Sequence, residues 1–160
     1  MPRRLVSVLA ATAGLCAGAA AAQEFNTLAP RDCDWRASAE ALVEPWEETS
    51  RTFANGEVRI ALLDTIEPAA GAFHLLILSP PYGEMGERQC RVISRGSGIG
   101  WAGIGFSQLK ASYDPARGLV FVVRAQYYDP ETSFQNPMRL EITLRQDTGA
   151  ITVREFIGPE

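Results

Sequence analysis

Few residues of this chain have the type and spacing to do chemistry. The clearest candidate is Gly98-Ile99-Gly100-Trp101-Ala102-Gly103, which carries the GxGxxG spacing of a nucleotide-phosphate loop. That chemistry needs a helix N-terminus behind the glycines to meet the pyrophosphate. No helical pattern follows, because Ile104-Gly105-Phe106 stays glycine-rich, and no acidic residue stands about 20 positions on to hold a ribose. Two readings remain for the segment. Its glycines bend a sheet, permit a bulge or admit a second backbone at close range. Alternatively Gly98, Gly100 and Gly103 frame the ring of Trp101 as a ligand platform. These four residues are the candidate ligand-binding set, although a tryptophan in such a setting is more often core than surface.

His74 is the only histidine, which excludes a two-histidine metal site and leaves one imidazole for acid–base work. It lies within an apolar run, Phe73 to Leu78, where a histidine satisfied by a backbone or carboxylate partner is the expectation. Ser97 could be a nucleophile with His74 as base, but Gly96-Ser97-Gly98 is not the GxSxG elbow, and Ser97 reads as a turn residue. Asp114, Asp129 and Glu131 could pair as the two carboxylates of a glycosidase. Asp114-Pro115 and Asp129-Pro130 are also strong turn initiators, which accounts for both aspartates without catalysis. Asp129, Glu131, Gln135 and Asn136 offer oxygens to calcium at a spacing that does not fit an EF-hand. The expectation is therefore no catalytic residue, no metal and no cofactor.

The compartment follows from the first 22 residues. Arg3 and Arg4 precede an uncharged apolar run, Leu5 to Ala22, that ends in small residues, Ala20 and Ala22. This is the pattern of a secretory signal peptide, with Gln23 as the mature start. A transmembrane reading is weaker, since the run is alanine-rich and is followed by acidic Glu24. Leu15 before Cys16 argues against a lipid anchor there. Residues 23 to 160 then form one domain, and no stable membrane insertion is expected after signal removal. Losing the signal takes two of the 15 basic residues and none of the 19 acidic ones, leaving 13 against 19 and a formal charge of −6. Nucleic acid and anionic membranes reward a basic face that this balance lacks. Cys33 and Cys90 remain, and in an oxidising compartment they pair as one disulfide.

The elements that position these residues are mostly strands. Trp35 to Glu44 is the one helical candidate, capped by Asp34 and stopped by Pro45. Asn55-Gly56 signals a two-residue hairpin between Ser50–Ala54 and Glu57–Asp64. Phe73 to Leu78 reads as a central strand ended by Pro80-Pro81, and Arg88 to Ser94 as another. Leu109–Tyr113 and Leu119–Tyr128 flank an Asp114–Gly118 turn. Met138 to Arg145 alternates most cleanly, with Met138, Leu140, Ile142 and Leu144 facing in. Ala150 to Phe156 is the last strand. The fold expected is all-β and antiparallel, a small barrel or sandwich of about seven to eight strands. An N-terminal arm or short helix would be pinned to it by Cys33–Cys90.

The run Asn55 to Thr65, with Pro80-Pro81-Tyr82 and Gln89-Cys90-Arg91-Val92 after it, resembles a group of small exported proteins of alphaproteobacteria that carry no assigned function. The resemblance implies export and carries no catalytic residue over. In architecture the chain is also similar to small periplasmic lysozyme inhibitors, although only Ala111-Ser112-Tyr113 approaches their inhibitory loop. The functional expectation is an exported, non-enzymatic protein, periplasmic or secreted from a Gram-negative bacterium, that binds a small ligand or a protein partner. The alternatives are an inhibitor of a cell-wall hydrolase and a hydrolase that uses loop carboxylates.

Overall fold

Two antiparallel meanders, one from each half of the chain, stack face to face in the computed structural model, which describes residues 25–96 and 98–158. The first meander runs β3 (Ser50–Phe53), β4 (Val58–Asp64), β5 (Phe73–Tyr82) and β6 (Arg88–Ile93). The second runs β8 (Lys110–Asp114), β9 (Gly118–Asp129), β10 (Phe134–Leu144) and β11 (Ile151–Ile157). Short strands complete the sheets: β1 (Phe25–Leu28) pairs with β11, β2 (Arg31–Asp32) with β6, and β7 (Gly103–Ile104) with β9. The sheets do not close on each other, so the described residues form a sandwich of eleven strands, two of them only two residues long. The signal-peptide reading, residues 1 to 22, lies outside the described residues.

Alternation dictates which side chains fill the space between the sheets. On β10, Met138, Leu140, Ile142 and Leu144 are all buried, as expected, and Val153 of β11 and Phe121 and Val123 of β9 join them. Val58, Ile60 and Leu62 of β4 meet them from the other sheet, with Leu75 and Ile77 of β5. The opposite face of β4 and β5 is buried too. Ala61, Leu63, Leu76 and Val92 lie under residues 33–42, forming a second, smaller core.

The arm that covers this second core is not the expected helix. Trp35–Ala37 and Ala39–Ala41 are separate 3-10 turns, divided by an extended Ser38. Asp34 does cap the first turn, accepting from the Arg36 amide at 3.1 Å. Trp35 is two-thirds exposed, whereas Ala41 is buried. Ala37, Ala41 and Leu42 of the arm pack on the sheet, and Cys33 bonds covalently to Cys90, with Cα atoms 5.4 Å apart. The arm thus crosses from one sheet to the other at Ala29-Pro30 and is fastened at its far end.

Two further boundaries differ from the sequence reading. The first hairpin closes at the pair Phe53–Val58, so its loop has four residues rather than two, with Ala54, Asn55 and Gly56 all at positive φ. Strand β5 continues through Pro80-Pro81 to Tyr82, with the register broken between Ser79 and Tyr82, because the two prolines have no N–H to offer the ladder.

Candidate functional site

The glycine-rich segment is where the chain crosses from the first meander to the second. Trp101 forms an antiparallel bridge with Phe73 of β5, and two residues later Gly103 pairs with Gln126 of β9. Backbones therefore crowd here. A Cβ on Gly100 would lie 2.1 Å from the Phe73 carbonyl oxygen and 2.8 Å from that of Gly71. The close-approach reading of the glycines holds at Gly100. Gly98 has φ +107°, which an L side chain rarely adopts, and a Cβ there would also meet the Arg36 guanidinium at 2.7 Å.

Trp101 itself is fully buried in the main core. Its ring presents no face to solvent, so an exposed aromatic platform does not exist in this fold. The indole Nε1 donates to Glu155 Oε1 at 3.0 Å. Glu155 is also buried, and Arg95 approaches the same oxygen at 3.4 Å while its guanidinium stacks over Tyr127 at 4.3 Å. The sequence reading passed over Glu155. Its signal was an acid at the inward parity of β11, two residues after Val153, where an aliphatic residue was due. The cluster draws on three elements, so no spacing could have assembled it.

Beside this cluster a cleft of about 660 Å³ opens along β7, β9 and β10. Phe73, Ile104, Ala125, Pro137 and Met138 supply its apolar walls. Arg124 and Gln126 supply polar groups, and Gly103, Gly105 and Gly158 leave room by having no side chains. Gly103 is the one member of the candidate ligand set that lines this space. The register explains the shape: Gln126 of β9 pairs with Pro137 on one side and Gly103 on the other, so the row across the sheet is low. A second depression, about 580 Å³, lies beside the β4–β5 pair, lined by Arg59, Tyr82 and Arg88 among others.

His74 is buried on the other face of β5. Its Nδ1 lies 2.8 Å from the Ser94 hydroxyl, and Thr65 stands 3.5 Å from Nε2. The partner is thus a hydroxyl rather than the expected carbonyl or carboxylate. Burial, followed by the positive charge of Arg36, lowers its pKa from 6.5 to about 4. The imidazole is neutral at physiological pH and almost wholly buried. Ser97, its imagined nucleophile, lies outside the described residues.

Asp114 does not come together with Asp129 and Glu131, which share one turn. Asp114 and Asp129 stand near opposite ends of the 12-residue β9, on the order of 35 Å apart. Asp114 accepts from the amides of Ala116 and Arg117 and pairs with the Arg117 side chain. Asp129 accepts from the Glu131 amide and the Thr132 hydroxyl, which hold its carboxyl below the usual range. Both act as the turn caps their Pro contexts suggested. Among the described residues no group of three or more His, Cys, Asp or Glu is arranged to hold a metal ion, and no helix is long and apolar enough to cross a membrane. No family model, curated protein or solved structure matches the chain.

Proposed function

We propose that this is an exported, non-enzymatic binding protein that takes a small ligand into the cleft beside β7, β9 and β10. The observation that carries the reading is the cleft itself, whose apolar walls hold two polar side chains and whose volume falls in the range of small-molecule sites. The disulfide supports export, since such bonds persist in oxidising compartments. Gly105 provides the test. A Cβ there would meet nothing nearer than 3.6 Å, and its φ of −77° suits any residue. Gly105→Leu should therefore fill the cleft without strain. Protein equilibrated with a small-molecule extract of the periplasm and recovered by ultrafiltration should retain a compound that the variant loses. Retention of the same compounds by both proteins, or of none by either, overturns the reading.

A specific feature favours inhibition of a cell-wall hydrolase as the second reading. Strands β9 and β10 run on past β7 to a tip where Phe134 is 69% exposed and Tyr128 is exposed opposite Gln135. An aromatic on a projecting hairpin is suited to enter a partner's cleft. Capture of a hydrolase by the native domain and not by Phe134→Ser would favour this reading over the first.

A further inference from the structure

We propose that the depression beside the β4–β5 pair is a second binding site, which takes an acidic saccharide, a sugar bearing a carboxylate or phosphate, with Arg59 and Arg88 receiving the anion. The inference goes beyond the cleft and rests on none of its residues.

Arg59 and Arg88 both line this space of about 580 Å³. The register shows how they meet. Arg59 of β4 pairs with Leu78 of β5, Leu78 pairs in turn with Cys90 of β6, and Arg88 stands two residues from Cys90 on the same face. The Arg88 side chain reaches back across β5, where its Nη1 donates to the Gly56 carbonyl at 3.3 Å, next to the start of β4. Two guanidiniums from strands that are not neighbours therefore face one depression. Among the described residues neither Arg59 nor Arg88 forms an ion pair, although Glu57 and Glu87 stand on the flanking turns. Both carboxylates are engaged by uncharged donors instead. Glu57 accepts from the Tyr82 hydroxyl, and Glu87 accepts from the Met85 amide at 3.1 Å. Arg91, Arg117 and Arg145, by contrast, each pair with an acid.

Two unneutralised guanidiniums repel each other, and an anion between them removes that repulsion while accepting paired N–H···O bonds. The rest of the lining selects what carries the anion. Leu78 is its one aliphatic side chain, which gives an alkyl tail little to bury. Thr52 and Glu87 offer partners to hydroxyl groups, and the charge of Glu87 disfavours a second anionic group. Tyr82 is 51% exposed and is held by its bond to Glu57, so its ring offers a fixed apolar face to the C–H side of a sugar. One anion at one end and hydroxyls elsewhere is the composition of an acidic saccharide.

NMR titration of protein spanning residues 23–160 with glucuronate and with a glucose monophosphate tests this. Glucose serves as the uncharged sugar, and acetate and inorganic phosphate as anions without a sugar. At least one of the acidic sugars should bind and move the Leu78 methyl and Tyr82 ring signals, and the tighter of the two identifies the anion. Arg59→Gln and Arg88→Gln should each weaken that binding by at least about tenfold. Arg154→Gln removes an equal charge from an exposed arginine of the other sheet, and Gly105→Leu alters only the cleft; both should leave the binding unchanged. Urea unfolding checks that every variant remains folded. Equal weakening by Arg154→Gln would mean that net charge alone attracts the ligand and overturns the site. Glucose binding as tightly as the acidic sugars overturns the anion, and acetate or inorganic phosphate doing so overturns the saccharide. Failure of both acidic sugars to bind overturns the proposal, and the Gly105→Leu comparison with periplasmic extract then decides the cleft reading separately.

Discussion

At the scale of single residues, buried polar groups carry most of what distinguishes this sandwich from a plain aliphatic core. Trp101 fills the main core and anchors Glu155 through its indole N–H. Trp101→Ala should destabilise the protein by about 3–5 kcal/mol in urea unfolding, as truncation of a buried aromatic does. Trp101→Phe keeps most of the volume but leaves Glu155 one hydrogen bond short, so its loss should be smaller. His74 makes a prediction about pH. Its pKa is lowered from 6.5 to about 4 in the fold, so between these values the unfolded chain binds the proton more readily. Its contribution to stability is whole above pH 6.5 and is lost as pH falls towards 4, amounting to about 3 kcal/mol. Aspartates such as Asp129 and Asp147 titrate lower still, which makes a difference measurement necessary. The stability gap between native protein and His74→Gln should shrink from pH 6.5 to pH 4, and a constant gap would show the imidazole to be uncoupled from folding.

At the scale of elements, alternation was a sound guide wherever one sheet face meets the core and the other meets water. Strand β10 is such a case. Ile142 is fully buried while its neighbour Thr143 is partly exposed. Ile142→Ala should cost about 2–5 kcal/mol, and Thr143→Ala much less. Equal losses in urea titrations would mean that the strand's facing is wrong. The same rule was less informative for β4, where Ala61 and Leu63 are buried as well, because the N-terminal arm roofs that face. The helix expected at Trp35–Glu44 failed for a related reason. Its apolar residues satisfy a helical spacing, but the sheet beneath supplies contacts that two 3-10 turns meet equally well.

At the scale of the molecule, the sandwich is held shut at both flanks. On one side the arm passes from β1 to β2 and on to the Cys33–Cys90 bond. On the other, Arg51 of the edge strand β3 donates to the carbonyls of Ser107 and Leu109 at 2.9 and 3.0 Å, joining the two sheets. The disulfide links residues 57 apart, and the chain-entropy model gives roughly 4 kcal/mol for closing a loop of that size. Protein spanning residues 23–160 should show no thiol reactive to alkylation without reductant, and reduction should lower its urea midpoint by an amount of that order. A thiol labelled in the folded, unreduced protein would contradict the pairing.

What the order of residues determined unaided was local or covalent. The β10 alternation, the turn-capping aspartates and a disulfide from two remaining cysteines each depend on neighbours in sequence or on simple elimination. The tertiary structure alone decided the rest, because the deciding contacts join distant segments. Gly98 to Gly103 carries a nucleotide-loop spacing, yet it is the crossing between two sheets, and Gly100 is glycine because the Phe73 and Gly71 carbonyls lie against it. Glu155 is an isolated acid in a strand until folding places it beside Trp101 and Arg95. Arg124 and Arg139 are two among many scattered arginines until the β9–β10 register sets them opposite each other. Periodicity reports which face a side chain takes, and only the pairing of strands reports what it meets there.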